Sequence, residues 1–126
     1  MPLVVVTRYV VPEGEAASFR ERGRAALDAL RSQPGCRRGH LGRSIDDPGR
    51  WLLQTEWDSI GAYRRALSSY DVKLRAVPVM YFSVDEVTAY ETLVEAASGA
   101  ADGLLDHDSD RDPGAGSASL GRGGDR

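Results

Sequence analysis

Only one cysteine, Cys36, occurs in the 126 residues. No internal disulfide can form, which points to a reducing compartment, the cytoplasm. No apolar run approaches the roughly 20 residues that cross a bilayer. The opening stretch MPLVVV has no basic segment and no small-residue cleavage site, so neither a secretory signal nor a membrane partner is expected. Histidine occurs twice and forms no Cys/His cluster, so no metal site is expected. Asparagine is absent altogether. An excess of positive charge is missing too: the formal net charge is −3. Residues 1–95 hold 13 basic and 13 acidic side chains, whereas residues 96–126 hold 3 and 6. The whole imbalance therefore sits in the last segment, and no nucleic-acid partner is implied.

That last segment also lacks aromatic residues and holds 7 of the 14 glycines. It cannot bury enough apolar surface to offset its ordering entropy, so residues 96–126 are expected to form a disordered acidic tail rich in Gly, Ser and Asp. The remaining 1–95 make one domain. Leu3–Val11 is rich in β-branched and aromatic residues and reads as a strand, apolar on both faces apart from Thr7 and Arg8. Glu13–Ser32 reads as a helix. Glu13 and Glu15 lie in its first turn, where the helix dipole favours acid. Phe19, Gly23, Ala26, Leu27 and Leu30 form its buried stripe, and Gly23 permits close packing against the sheet. Gln33-Pro34-Gly35 turns the chain.

Cys36–Ile45 reads as a second strand, with Cys36, Arg38, His40, Gly42 and Ser44 on one face. The turn Asp46-Asp47-Pro48-Gly49 leads into Arg50–Trp57, whose strict alternation puts Trp51, Leu53, Thr55 and Trp57 on one side. Asp58 and Ser59 offer caps to a second helix, in which Ile60, Tyr63, Leu67 and Tyr70 share a face. Val72–Val84, interrupted at Val77-Pro78, reads as a covering loop, and a last strand is placed near Val87–Leu93. The order βαββαβ predicts an α+β, ferredoxin-like fold: a four-stranded antiparallel sheet with two helices on one face. The other face of that sheet needs a cover, and a second copy of the chain is the economical one. A homodimer through the sheet face is expected.

The segments VVVTRYVVPEGE, PGC, DDPGRWLLQTEWDS and TAYE, in this order, resemble the antibiotic biosynthesis monooxygenase domains of the dimeric α+β barrel superfamily. The resemblance covers residue 3 to about residue 93. It implies a pocket in each subunit between sheet and helices. It also implies an aromatic, polyketide-type phenol as substrate, oxidised in secondary metabolism by dioxygen as co-substrate with no metal or flavin cofactor. Positioned donors such as Trp, Asn, Tyr, Arg or His would hold the developing anion. Trp57 matches the family's tryptophan at the strand-to-helix junction. Haem degradation is not implied, because SSYDVK carries no histidine. An isomerase or cyclase, and a non-catalytic module binding a small molecule or serving as an accessory, stay open beside the monooxygenase.

Among single residues, His40 has the chemistry of a general base for a phenol. Tyr81 could present its hydroxyl from the covering loop. These two are the catalytic candidates. Trp57, Tyr63, Trp51, Phe82 and Phe19 are the substrate-binding candidates, with the pocket expected between the Arg50 strand and the second helix. Arg8 is expected to pair with Glu56 or Asp85, and Cys36 to act as a small buried hydrophobe.

Overall fold

A computed structural model describes residues 1–96 and the short strand Leu104–Asp106. β1 (Leu3–Val10) enters a single 3₁₀ turn at Glu13–Glu15 and then α1 (Ala16–Arg31). β2 (Cys36–Arg43) and β3 (Arg50–Trp57) form a hairpin, followed by α2 (Ile60–Leu67), α3 (Tyr70–Arg75), α4 (Val77–Met80) and β4 (Ala89–Glu91). The four strands make one antiparallel sheet in the order β2-β3-β1-β4. This is the ferredoxin-like arrangement, with β1 and β3 at its centre.

Register decides the two faces. Leu3, Val5, Thr7 and Tyr9 stand opposite Trp57, Thr55, Leu53 and Trp51, and all eight are buried. These side chains meet Phe19, Ala26, Ala29 and Leu30 of α1 and Ala62, Ala66, Val72, Ala76 and Val79 of α2 to α4. Gly23 serves the close approach expected of it: a Cβ there would come within 3.0 Å of Leu41 Cδ1. The intervening residues, Val4, Val6, Arg8 and Val10 against Glu56, Gln54, Leu52 and Arg50, form the open face. That face is mixed in polarity, and Arg38 and Glu56 pair across it at 3.6 Å.

Several local details depart from the sequence reading. β2 carries an irregularity between Cys36 and Arg38. The extra residue reverses the alternation, so Cys36 stands opposite buried Trp57 while Arg38 and His40 stand opposite Glu56 and Gln54 of the open face. The second helix is three short helices. Ser59 caps α2 by accepting from the Ala62 N–H at 3.1 Å, and Ser69 starts α3 by accepting from the Val72 N–H at 3.3 Å. The new cap resets the helical phase, which leaves Tyr70 80% exposed rather than on the buried stripe. Asp58 caps nothing and instead accepts from Arg37 Nε at 2.8 Å.

The expected covering loop is partly helical, because Pro78 falls in the first turn of α4, where a missing N–H costs nothing. The last strand is shorter than expected. Residues before it still run along β1: Thr88 O accepts from Val6 N at 2.7 Å and Arg8 O accepts from Val84 N at 2.6 Å. Arg8 pairs with Glu86 at 3.4 Å, not with Glu56 or Asp85. Beyond β4, β5 (Val94–Ala96) pairs with β6 (Leu104–Asp106). The rest of the expected acidic tail lies outside the described residues.

Candidate functional site

The junction of β3 and α2, where the sequence suggested a pocket, is filled. Trp57 is fully buried, its ring lies 5.4 Å from that of Tyr63 at a tilt of 54°, and Ala62 and Ala66 pack beneath. Trp57 Nε1 donates to Thr55 Oγ1 at 2.8 Å, so its polar atom is satisfied inside the core. Burial raises the Tyr63 phenol above its ordinary value.

A cavity of about 350 Å³ lies instead beyond the other end of β1, between the start of α1 and α4. Its size is at the lower end of the roughly 300–1,000 Å³ usual for small-molecule sites. Tyr9, Val11, Phe19, Val79 and Phe82 supply apolar and aromatic walls, with Val10 and Pro12 at the margin and Glu15 and Arg22 as charged groups. The local sequence explains the geometry. Glu15, Phe19 and Arg22 follow at i, i+4 and i+7, so they line one stripe of α1. Pro12 and the 3₁₀ turn swing the chain from β1 into that helix. Phe19 contacts Tyr9 at 5.0 Å and Trp51 edge-on at 5.2 Å between ring centroids, and the Arg22 guanidinium lies 5.7 Å over the Phe19 ring.

Tyr9 lines this cavity and is itself 2% exposed. Its hydroxyl bonds the Thr7 hydroxyl at 2.8 Å, and either can be the donor. Thr7 Oγ1 has a second, long contact to Leu53 O at 3.5 Å. Burial raises the Tyr9 phenol, and the Thr7 hydrogen bond only partly opposes it. The group is therefore a neutral hydroxyl at physiological pH. Nearby Trp51 is 6% exposed, its ring is covered by the Arg43 guanidinium at 5.3 Å, and its indole N–H has no hydrogen-bond partner among the described residues.

The structure thus gathers Phe19 and Phe82 into one cavity, sets Trp51 edge-on against Phe19 as a wall of a second hollow, and keeps Trp57 and Tyr63 in a separate aromatic cluster. Tyr81 is 81% exposed, does not line the cavity, and reaches it only by packing edge-on against Phe82 at 5.4 Å. His40 stands apart from the site expected for it. It is exposed on the open face opposite Gln54, because the β2 irregularity keeps it away from the helices. Glu15, Arg22, Tyr9 and Val79 were missed. The i, i+4, i+7 spacing of Glu15 and Arg22 about Phe19 was the signal that could have found two of them.

A second hollow of about 440 Å³ lies at the hairpin end of the sheet, lined by residues that include Arg8, Tyr9, Arg43, Asp47, Arg50 and Trp51. Among the described residues no group of three or more His, Cys, Asp or Glu side chains is placed to hold a metal ion, and no helix is long and apolar enough to cross a membrane.

A ferredoxin-like sheet with a cavity between its helices and one end of its central strand defines a small α+β protein. Its family is narrower. The model of the antibiotic biosynthesis monooxygenase family matches residues 2–74, and the chain belongs to that family. Solved structures with the same fold include SnoaB, a cofactor-independent oxygenase from Streptomyces nogalater, at 22% identity and a TM-score of 0.63, covering 79% of this chain and 98% of that one. Rv0793 from Mycobacterium tuberculosis is 23% identical with a TM-score of 0.64, covering 77% and 100%. A conserved protein from Methanosarcina mazei Go1 is 17% identical with a TM-score of 0.62, covering 73% and 93%. No curated protein sequence matches the chain.

Proposed function

We propose that the protein is a cofactor-independent monooxygenase that oxidises an aromatic phenol or anthrone of secondary metabolism with dioxygen. The observation that carries this reading is the cavity between Tyr9, Phe19, Val79 and Phe82, whose walls are aromatic and apolar. In the reaction one atom of dioxygen enters the ring as a quinone oxygen. The other leaves as water with the two hydrogens the substrate loses. The protein's part is to favour the electron-rich phenolate and to hold its oxygen. Tyr9 suits that task. When a ligand oxygen arrives, the Thr7 hydroxyl turns to donate to Tyr9, and the Tyr9 hydroxyl donates to the ligand.

We further propose a homodimer formed through the open sheet face, where Val4, Leu52 and Tyr90 supply apolar area, and a cytoplasmic location in keeping with the single free Cys36. The reading is tested by incubating the full chain with naphthol and anthrone, with and without oxygen, while following oxygen uptake and quinone absorbance. Oxygen-dependent quinone formation that falls in Tyr9→Phe is the expected result. Product formed without oxygen makes the protein an isomerase or cyclase. Binding with no product makes it a non-catalytic binder, a reading favoured by the fact that Tyr9 already has a partner in Thr7.

A further inference from the structure

Two cations meet at one end of the groove between α1 and β2. The groove has a regular register. A Cβ at Gly39 would come within 2.6 Å of Leu27 Cδ1, and one at Gly23 within 3.0 Å of Leu41 Cδ1. Four residues back along the helix thus match two residues on along the strand, and the next step sets Phe19 beside Arg43. The side-chain contacts agree. Arg43 stands opposite Trp51 in the sheet, and its guanidinium lies 5.3 Å over that ring. Trp51 meets Phe19 edge-on at 5.2 Å, and the Arg22 guanidinium lies 5.7 Å over Phe19. Two exposed arginines therefore cap one aromatic pair. Neither has a hydrogen bond or an ion pair among the described residues, whereas Arg8, Arg37, Arg38, Arg50 and Arg75 all pair with carboxylates. Glu15, which shares a cavity wall with Arg22, lies two helical turns away, about 10 Å along the axis. Contact with a ring face is worth only about 0.5–1 kcal/mol at an exposed site, and it supplies neither cation with an acceptor. The ring that Arg43 covers shows the same want. Trp51 is 6% exposed and its buried indole N–H has no partner among the described residues, while the Trp57 N–H has Thr55. An unpaired buried donor costs about 1–3 kcal/mol.

We infer that Arg22 and Arg43 form an oxyanion site for a phosphoryl group, with the Trp51 N–H as its third donor. Charge and shape select that class. The two guanidiniums carry two positive charges, and a phosphate monoester carries about −1.5 to −2 at pH 7. Its three terminal oxygens match two guanidinium forks and one N–H. A carboxylate has one charge and two oxygens, and leaves one donor unmet. Arg43 is held by a ring face alone, so it shifts toward the anion and opens a path for one oxygen to the indole. The site stands on these contacts and does not depend on the chain being an oxygenase.

The test follows the indole N–H resonances of the full, isotope-labelled chain at constant ionic strength, with inorganic phosphate, glycerol phosphate and acetate as probes. The chain has two tryptophans, so Trp57 is the internal control. Phosphate should move the Trp51 signal saturably and leave the Trp57 signal in place. Arg22→Gln and Arg43→Gln should each weaken binding about tenfold, the lower worth of a hydrogen bond to a charged group. Arg20→Gln, exposed on the same helix, should not. An unchanged Trp57 signal shows that each variant folds. Tighter binding of glycerol phosphate than of phosphate makes the ligand a monoester, and equal binding makes it free phosphate; either bears the inference out. The inference fails if the Trp51 signal stays in place, if acetate binds as tightly as phosphate, or if Arg22→Gln and Arg43→Gln weaken binding no more than Arg20→Gln does.

Discussion

Thr55→Val tests whether Trp57 belongs to the framework or to the site. The substitution keeps the shape of the side chain and replaces the hydroxyl with a methyl group. Thr55 is 3% exposed and Trp57 fully buried, and the indole N–H donates to Thr55 Oγ1 at 2.8 Å. Removing the acceptor strands that N–H in the core, at a cost of about 1–3 kcal/mol. The extra buried methyl offsets up to about 0.8 kcal/mol. A net loss of about 1–2 kcal/mol follows, or a fall in Tm of very roughly 5–15 °C for a domain of this size. Urea denaturation followed by tryptophan fluorescence measures it. In a Trp57→Phe background the same change strands nothing, so the two losses should fall short of additivity by about 1 kcal/mol. Ligand affinity should not move. A Thr55→Val protein as stable as the parent would refute the energetic argument, and one that folds normally but loses ligand would put Trp57 back in the site.

Three further outcomes are expected. Gly35 has φ +89°, and a Cβ there would sit 2.5 Å from Ala62 Cβ. Ala62 has no rotamer with which to move aside, so Gly35→Ala should cost about 2–4 kcal/mol from left-handed backbone strain and overpacking together, read by chemical denaturation. Burial raises the phenols of Tyr9 and Tyr63 above their unfolded value near 10. The unfolded chain then releases these protons first, so stability should be full below about pH 10 and fall as pH rises through the folded values. Tyr9→Phe and Tyr63→Phe should each flatten that alkaline limb in a denaturation series. If the open sheet face joins two copies, Leu52→Glu should shift the protein from dimer to monomer in sedimentation; a variant that stays dimeric rules that face out.

The sheet was legible because its signals are local and repeated. The alternation of Trp51, Leu53, Thr55 and Trp57 fixes which side of β3 is buried, and Asp47-Pro48-Gly49 fixes the hairpin, with Asp47 Oδ1 accepting from Gly49 N–H at 3.2 Å. The second helix was less legible because two serine caps, ten residues apart, restart its phase, and a periodicity count across Ser68-Ser69 runs through the break. His40 was misplaced for a related reason. One extra residue at Arg37 changes which face of β2 each later side chain shares with Cys36, and no composition signal marks the irregularity. The cavity was hidden because its walls come from three distant segments: Tyr9, the Glu15-Phe19-Arg22 stripe, and Val79 with Phe82. Only the first contact of Phe19 with the core could be read from its helix alone.

The proposed ligand site lies between Tyr9, Phe19 and Phe82. It is tested most directly by mapping chemical-shift changes on the labelled protein while naphthol is added. Shifts centred on Tyr9, Phe19, Arg22, Val79 and Phe82 are expected, with the Trp57 indole and His40 unmoved. Shifts centred on His40, Leu52 and Arg8 of the open face, or on Trp57 and Tyr63, would contradict it.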